Sequence, residues 1–175
     1  GDSPFDDEPV GETVYMDILN RAKKYVHIMT PYLIIDQSMI TALTFAAKRG
    51  VDVKLILPHI PDKKFAFALA KSHYKELLKA GVRIYEYTPG FVHAKIFTSD
   101  DEKAVVGTIN LDYRSLYLHF ECAAFLYQVE EIAEIEKDFQ RTLEKCQEVT
   151  LENRKKGTFF LRLEGWLLKW LAPLM

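Results

Sequence analysis

The sequence has few of the residues that staple a chain, bind zinc or cross a membrane. It contains two cysteines, Cys122 and Cys146, in 175 residues. Two are too few for a disulfide-rich scaffold, and neither their spacing nor their company suggests a structural zinc site, which wants paired Cys or His at short intervals. Cys122 sits in the apolar run CAAFLY and is expected to be a buried free thiol. No run reaches the roughly 18 apolar residues of a membrane span. The nearest, Phe159 to Met175, is interrupted by Arg162, Glu164 and Lys169. Net charge is only −2, which argues against the basic footprint of a nucleic-acid binder. That charge is uneven: Asp2, Asp6, Asp7, Glu8 and Glu12 stand in residues 1–12 without a base. The rest carries a small excess of bases and leans toward anionic partners. No secretory leader is visible in GDSPFDDEPVGE, which is acidic and polar. The lack of an initiator Met predicts a fragment of a longer chain.

Hydrophobic residues make up 49% of the chain, enough for one core in one domain. Residues 1–12 read as a flexible leader, 13–150 as the folded domain and 151–175 as an amphipathic C-terminal segment. Helical spacing of Val14, Ile18, Leu19 and Ala22 predicts a helix over Thr13–Lys24. Tyr25–Met29 reads as a strand that Pro31 stops. Asp36 caps a helix that ends at Gly50. Val51–Leu57 is a strand, 64–80 a helix ended by Gly81, and Val82–Tyr87 a third strand. This alternation means right-handed βαβ units and a largely parallel sheet. Further strands are expected over Val92–Thr98, Ala104–Val106 and Cys122–Tyr127, the first two as a hairpin. A last helix is expected over Val129–Cys146.

Chemistry concentrates in FVHAKIFTSDDEKAVVGTINLDYRSLYLHFE, residues 91–121. If Val92–Thr98 is a strand, His93 and Lys95 share a face, about 7 Å apart along the chain. Gly107 allows a tight or positive-φ turn. Lys95 supplies fixed charge, Thr108 and Asn110 supply neutral donors, and His93 a nucleophile or proton donor. Together these suit a tetrahedral phosphoryl group, and attack by imidazole would give a phosphohistidine without a metal. Glu121 is placed to hold one imidazole nitrogen and so set the tautomer. Asp100 is read as orienting or structural in preference to a proton relay. Arg114 holds either a lipid phosphate or an ion pair, and Tyr32 lines either the pocket or the core. His119 is read as structural in preference to a third polar group at the site. His27 is expected in the core, while His59 and His73 lack companions for a metal site.

The spacing H-x-K-x(4)-D-x(6)-G-T-x-N resembles the HKD motif of the phospholipase D superfamily, at His93, Lys95, Asp100, Gly107, Thr108 and Asn110. Glu121 is similar to the superfamily's downstream acid. TPYLI, AAKRGVDVKLILP, AGVRIYEYTPGFVHAK and NLDYRSLYLHFE resemble the C-terminal half of bacterial cardiolipin synthases, as does the closing WLLKWLAPLM. The resemblance implies an α/β/α sandwich around a mixed, largely parallel sheet. It implies phosphatidyl transfer between two phospholipids, with His93, Lys95, Asp100, Asn110 and Glu121 catalytic and Thr108, Arg114 and Tyr32 binding substrate. No metal or other cofactor is implied. Superfamily members need two facing HKD motifs, and this chain has one. The expected partners are therefore a second HKD half, either an N-terminal domain or a second copy, an anionic phospholipid substrate and a membrane surface. The implied location is the bacterial inner membrane, reached peripherally or through N-terminal helices outside this sequence. His93 is nucleophile or acid/base depending on that partner. A homodimeric phosphodiesterase or nuclease is the alternative, and a noncatalytic half that completes a partner's pocket is the third. In the tail, Leu163, Leu167 and Trp170 share a helix face, suited to a membrane interface or to packing on protein.

Overall fold

The computed structural model describes residues 1–152. Beyond Glu152, the expected amphipathic segment lies outside the described residues. The elements run α1 (Val10–Arg21), β1 (Tyr25–Met29), β2 (Leu33–Ile34), α2 (Gln37–Lys48), β3 (Asp52–Pro58), α3 (Lys64–Ala80) and β4 (Arg83–Tyr87). Then come β5 (Ile96–Ser99), β6 (Lys103–Gly107), β7 (Leu111–Asp112), a π-helical turn at Arg114–Leu118, β8 (Ala123–Tyr127), α4 (Glu131–Leu143) and β9 (Cys146–Val149).

A seven-stranded sheet has the order β8-β6-β5-β1-β3-β4-β9. Its middle is parallel, β1 with β3 and β3 with β4. Its flanks are antiparallel, through β5, β6 and β8 on one side and β9 on the other. The parallel centre follows from the helical crossovers α2 and α3, which a parallel neighbour requires. Alternation along the strands divides the core in two. Val26, Ile28, Val53, Leu55 and Ile84 face α1, α2 and α3. Met29, Ile56 and Tyr85 face Phe139 of α4. The protein is thus an α/β/α sandwich on a mixed sheet.

Local rules explain the middle helices. Asp36 caps α2 by accepting the Met39 amide at 2.8 Å. Gly81 closes α3 at φ 100°, a left-handed position that favours glycine. Elsewhere the chain departs from expectation. α1 begins at Val10 because Asp2, 7% exposed, accepts the Gly11 amide at 2.6 Å. The backbones of Asp2 and Glu121 exchange hydrogen bonds of 2.8 and 3.0 Å. The first residues, expected as a leader, therefore cap a helix and pair beside the site. The strand expected over 92–98 begins only at Ile96, since its neighbour β1 stops at Met29 opposite Ile96. Cys146 lies in β9, which covers the outer edge of β4 opposite Tyr87. Cys122 is exposed, not buried, and both thiols are free.

Gly107 does not take a positive φ. What it provides is space: a Cβ there would lie 2.3 Å from the Cys122 carbonyl oxygen and 2.5 Å from Ala123 Cα. Since backbone, not a flexible side chain, fills that position, Gly107→Ala should destabilise the fold by the upper end of about 1–3 kcal/mol. Thermal unfolding is the measurement, and a wild-type melting temperature would contradict the packing described.

Candidate active site

The site gathers where β1 ends, β5 begins, β6 ends and β8 begins. β1 stops because Pro31 has no amide to donate, so the last bond to β3 is the Thr30 amide on the Ile56 carbonyl at 3.1 Å. Two buried tethers hold the following loops. The Tyr15 hydroxyl donates to the Ile109 carbonyl at 3.0 Å, its ring stacked on Phe97 at 3.8 Å. The Leu111 amide donates to Thr30 Oγ1 at 3.3 Å. Burial, with the Glu121 charge second, pushes the Tyr15 phenol well above its ordinary range, so it stays a donor.

His93 is exposed and precedes β5. Lys95 Nζ stands 3.0 Å from His93 Nδ1 and 3.1 Å from Nε2, and donates to the His93 carbonyl at 2.7 Å. The shared strand face expected for the pair is absent, yet the two groups meet. Partial burial pulls the Lys95 ammonium below the ordinary lysine range, against the carboxylates of Glu121 and Asp112, which favour the charge. An anion at Lys95 would relieve that desolvation.

Asn110 is half-buried, and its Nδ2 donates to Ser115 Oγ at 3.0 Å. Its Oδ1 is buried without a hydrogen-bond partner. Thr108 donates its hydroxyl to Glu121 and receives the Cys122 amide at 2.9 Å. Glu121 is therefore paired with Thr108, not with His93 as expected. His119 Nδ1 lies 3.9 Å from Glu121, on a half-exposed side chain.

Asp100 lies at the far end of β5 and does not join this group. Its carboxylate accepts the amides of Lys23, Lys24 and Tyr25 at 2.7, 2.8 and 2.9 Å. Partial burial alone would raise its pKa, but the three amides outweigh this and hold it below the usual aspartate range. The geometry is that of a structural brace between α1 and β1, not of a catalytic group. Tyr32 hydrogen-bonds Asp62 at 2.5 Å and lines a cleft with Lys63, Phe67 and Phe91. The Phe91 ring lies 5.7 Å from that of His93. Arg114 is exposed at the start of the π-helical turn. His27 is buried between Tyr25 and Phe139, with Nδ1 2.7 Å from Glu136. Among the described residues, no group of His, Cys, Asp and Glu is arranged to hold a metal.

Sequence reasoning missed Asp112 and Ser115. Asp112 is 8% exposed, accepts the Ser115 amide at 2.8 Å and acts on Lys95 through its charge. The D-x-x-S spacing of a side-chain cap, directly after Asn110, was the available signal.

The class of fold is that of phospholipase D proteins. Solved structures with this fold include the phospholipase D family member Nuc from Salmonella typhimurium, with a TM-score of 0.70 at 16% identity over 79% of this chain and 90% of that one. Phosphatidylserine synthase from Haemophilus influenzae has a TM-score of 0.75 at 16% identity over 100% of this chain and 46% of that one. At the level of sequence, the family described as "Cardiolipin synthase, PLD-like domain" matches residues 15–143, and the chain belongs to it. Among its relatives, a cardiolipin synthase of Clostridium perfringens is 42% identical over 92% of this chain. One of Halalkalibacterium halodurans is 37% identical over 95%. An uncharacterized protein of Streptococcus mutans is 60% identical over 99%. The chain spans about a third of the length of these relatives: 34%, 33% and 38% respectively.

Two outcomes follow from the site. Asp100→Asn should cost about 1–2 kcal/mol at neutral pH, by replacing a charged acceptor of three amides. Because the folded pKa is depressed, the wild-type advantage is complete above the ordinary aspartate range and is lost as pH falls through the lower folded value. Melting curves of both proteins should therefore converge in acid. Inorganic phosphate or vanadate should bind the wild-type chain and weaken as pH rises through a Lys95 pKa below that of ordinary lysine. Lys95→Met should abolish this pH-dependent step in a calorimetric titration, and an unchanged titration would remove Lys95 from the anion site.

Proposed function

We propose that this chain is one of two HKD-bearing halves of a cardiolipin synthase, transferring a phosphatidyl group between two phospholipids. The observation that carries the reading is the half-desolvated Lys95 ammonium beside both ring nitrogens of His93. Family membership and the fold support phospholipid chemistry of the phospholipase D type. The chain's share of its relatives' length supports a second half supplied by the rest of a longer protein or by a second copy.

In this reading a phosphodiester oxygen of phosphatidylglycerol accepts from Lys95. Asn110 supplies a second donor. Its Nδ2 carries a second hydrogen besides the one given to Ser115 Oγ, and that hydrogen is offered to a phosphoryl oxygen. One imidazole attacks phosphorus, and the bond to the glycerol headgroup breaks. The partner half's imidazole protonates the leaving oxygen. The phosphohistidine is then attacked by a glycerol hydroxyl of a second phosphatidylglycerol, whose proton passes to that same imidazole. Products are cardiolipin and glycerol. His93 fills either the nucleophilic or the acid–base position. Glu121 and Asp112 keep Lys95 charged, and Thr108 holds Glu121. Arg114 is free to meet a second phosphate.

The cardiolipin synthase relatives support work at a membrane. No helix of the described residues is long and apolar enough to cross it. The alternative is a homodimeric phosphodiesterase or nuclease on the same fold, and the phospholipase D family member Nuc is covered over 90% of its length by this chain. The net charge of −2 and the cardiolipin synthase relatives favour lipid.

The whole protein should convert phosphatidylglycerol to cardiolipin with chelator present and leave DNA uncut. His93→Ala should reduce turnover to background. Substantial residual activity in that variant, or an activity that chelator removes and a divalent ion restores, would reject the mechanism. Preferential cleavage of DNA would transfer the reading to the nuclease.

A further inference from the structure

The start of α3 runs against helix electrostatics. A helix N-terminus carries partial positive charge and is stabilised by acids. α3 instead opens on Lys63 at the cap and Lys64 behind it, with no acidic residue in its first turn and no side-chain cap. Both lysines are exposed. Neither takes part in an ion pair among the described residues. Asp62, the adjacent acid, is engaged by the Tyr32 hydroxyl and by the Lys63 amide at 2.7 Å. The Lys63 ammonium lies over the Tyr32 ring, 5.5 Å from its centre, and Lys64 stands in solvent. A local rule broken in this way marks a candidate functional segment.

Large apolar side chains stand outward among these cations. Ile60 is 53% exposed and Phe65 is 63% exposed. Protein interfaces are depleted in lysine at their centres. Lysines interleaved with outward Ile and Phe suit the boundary of an anionic bilayer, where ammonium groups stay at phosphate level and apolar groups go deeper. The segment is also continuous with the site, since Asp62 and Lys63 line the cleft that ends at Phe91, beside His93.

We infer that residues 59–67, at the uncapped start of α3, seat this domain on an anionic phospholipid surface, with Ile60 and Phe65 entering the apolar layer and Lys63 and Lys64 on the phosphates. The inference rests on the phospholipid reading above and names the surface through which the cleft faces its substrate. Membrane contact is thereby assigned to the folded domain, apart from the C-terminal tail.

Vesicle sedimentation of the full chain tests it, with phosphatidylglycerol–phosphatidylcholine mixtures compared with phosphatidylcholine alone. Removing two surface-facing lysine charges should weaken binding to the anionic vesicles by about thirty-fold in Lys63→Gln/Lys64→Gln. Ile60→Ser/Phe65→Ser should lose about tenfold or more. Both double variants should keep the wild-type melting temperature. In the whole protein Ile60→Ser/Phe65→Ser, whose side chains do not line the cleft, should also keep turnover of a water-soluble short-chain phosphatidylglycerol while losing turnover of vesicle substrate. Wild-type binding by both variants, or a lysine effect equally large on neutral vesicles, overturns the inference. Failure of the wild-type protein to turn over the soluble substrate would strike the phosphatidyl-transfer reading instead, and the vesicle data would still decide the docking surface.

Discussion

The close approach of β8 to Gly107 is the constraint from which the rest of the site follows. No side chain fits between the end of β6 and the backbone of Cys122 and Ala123. With a hydrogen there, Thr108 and Cys122 exchange two bonds, Thr108 amide to Cys122 carbonyl and Cys122 amide to Thr108 Oγ1, each of 2.9 Å. That pairing draws Glu121 onto the Thr108 hydroxyl and sets Asp2 against Glu121's backbone. Asp2 in turn caps α1, whose Tyr15 reaches back to the Ile109 carbonyl. A closed circuit of contacts thus runs from β6 through β8 and α1 to the loop that carries Asn110.

Within this frame most polar groups are occupied. Asp112 is bound to a backbone amide, Glu121 to a hydroxyl and Asp100 to three amides. His93 and Lys95 are engaged chiefly with each other. His93 is exposed and Lys95 partly so, at the surface of the sandwich where the proposed second half would meet them. The carboxylates that keep Lys95 charged are restrained by neutral donors, so they offset its desolvation without forming a tight ion pair that would compete with a phosphate.

Local sequence rules performed best where helices and tight turns carry their own signals. Asp36 before an apolar period, and Gly81 after one, bounded α2 and α3 because caps and left-handed glycines act within a few residues. The hairpin of β5 and β6 was legible from its polar turn. Three misreadings share one cause. The 92–95 segment is β-like in composition but has no neighbour past Met29. The chain around Cys146 continues a helical period but is claimed by the free edge of β4. Cys122 sits in an apolar run whose strand is an exposed sheet edge. In each, a partner distant in sequence decided the outcome, and propensity is a weak prior against such pairing.

The sequence by itself determined the identity and spacing of the motif residues, because a motif fixes its residues one by one. His93, Lys95, Thr108 and Asn110 were legible in that way, and so was the α/β/α architecture. Only the tertiary structure decided which polar groups meet. It took Asp100 away to brace β1 and gave Glu121 to Thr108. It also added Asp112 and Ser115 and placed Lys63 in the cleft that Phe91 joins to His93. The physical reason is range: spacing along a chain sets faces and turns over a few residues. Hydrogen bonds between residues 15 and 109 or 30 and 111 depend on how whole layers pack.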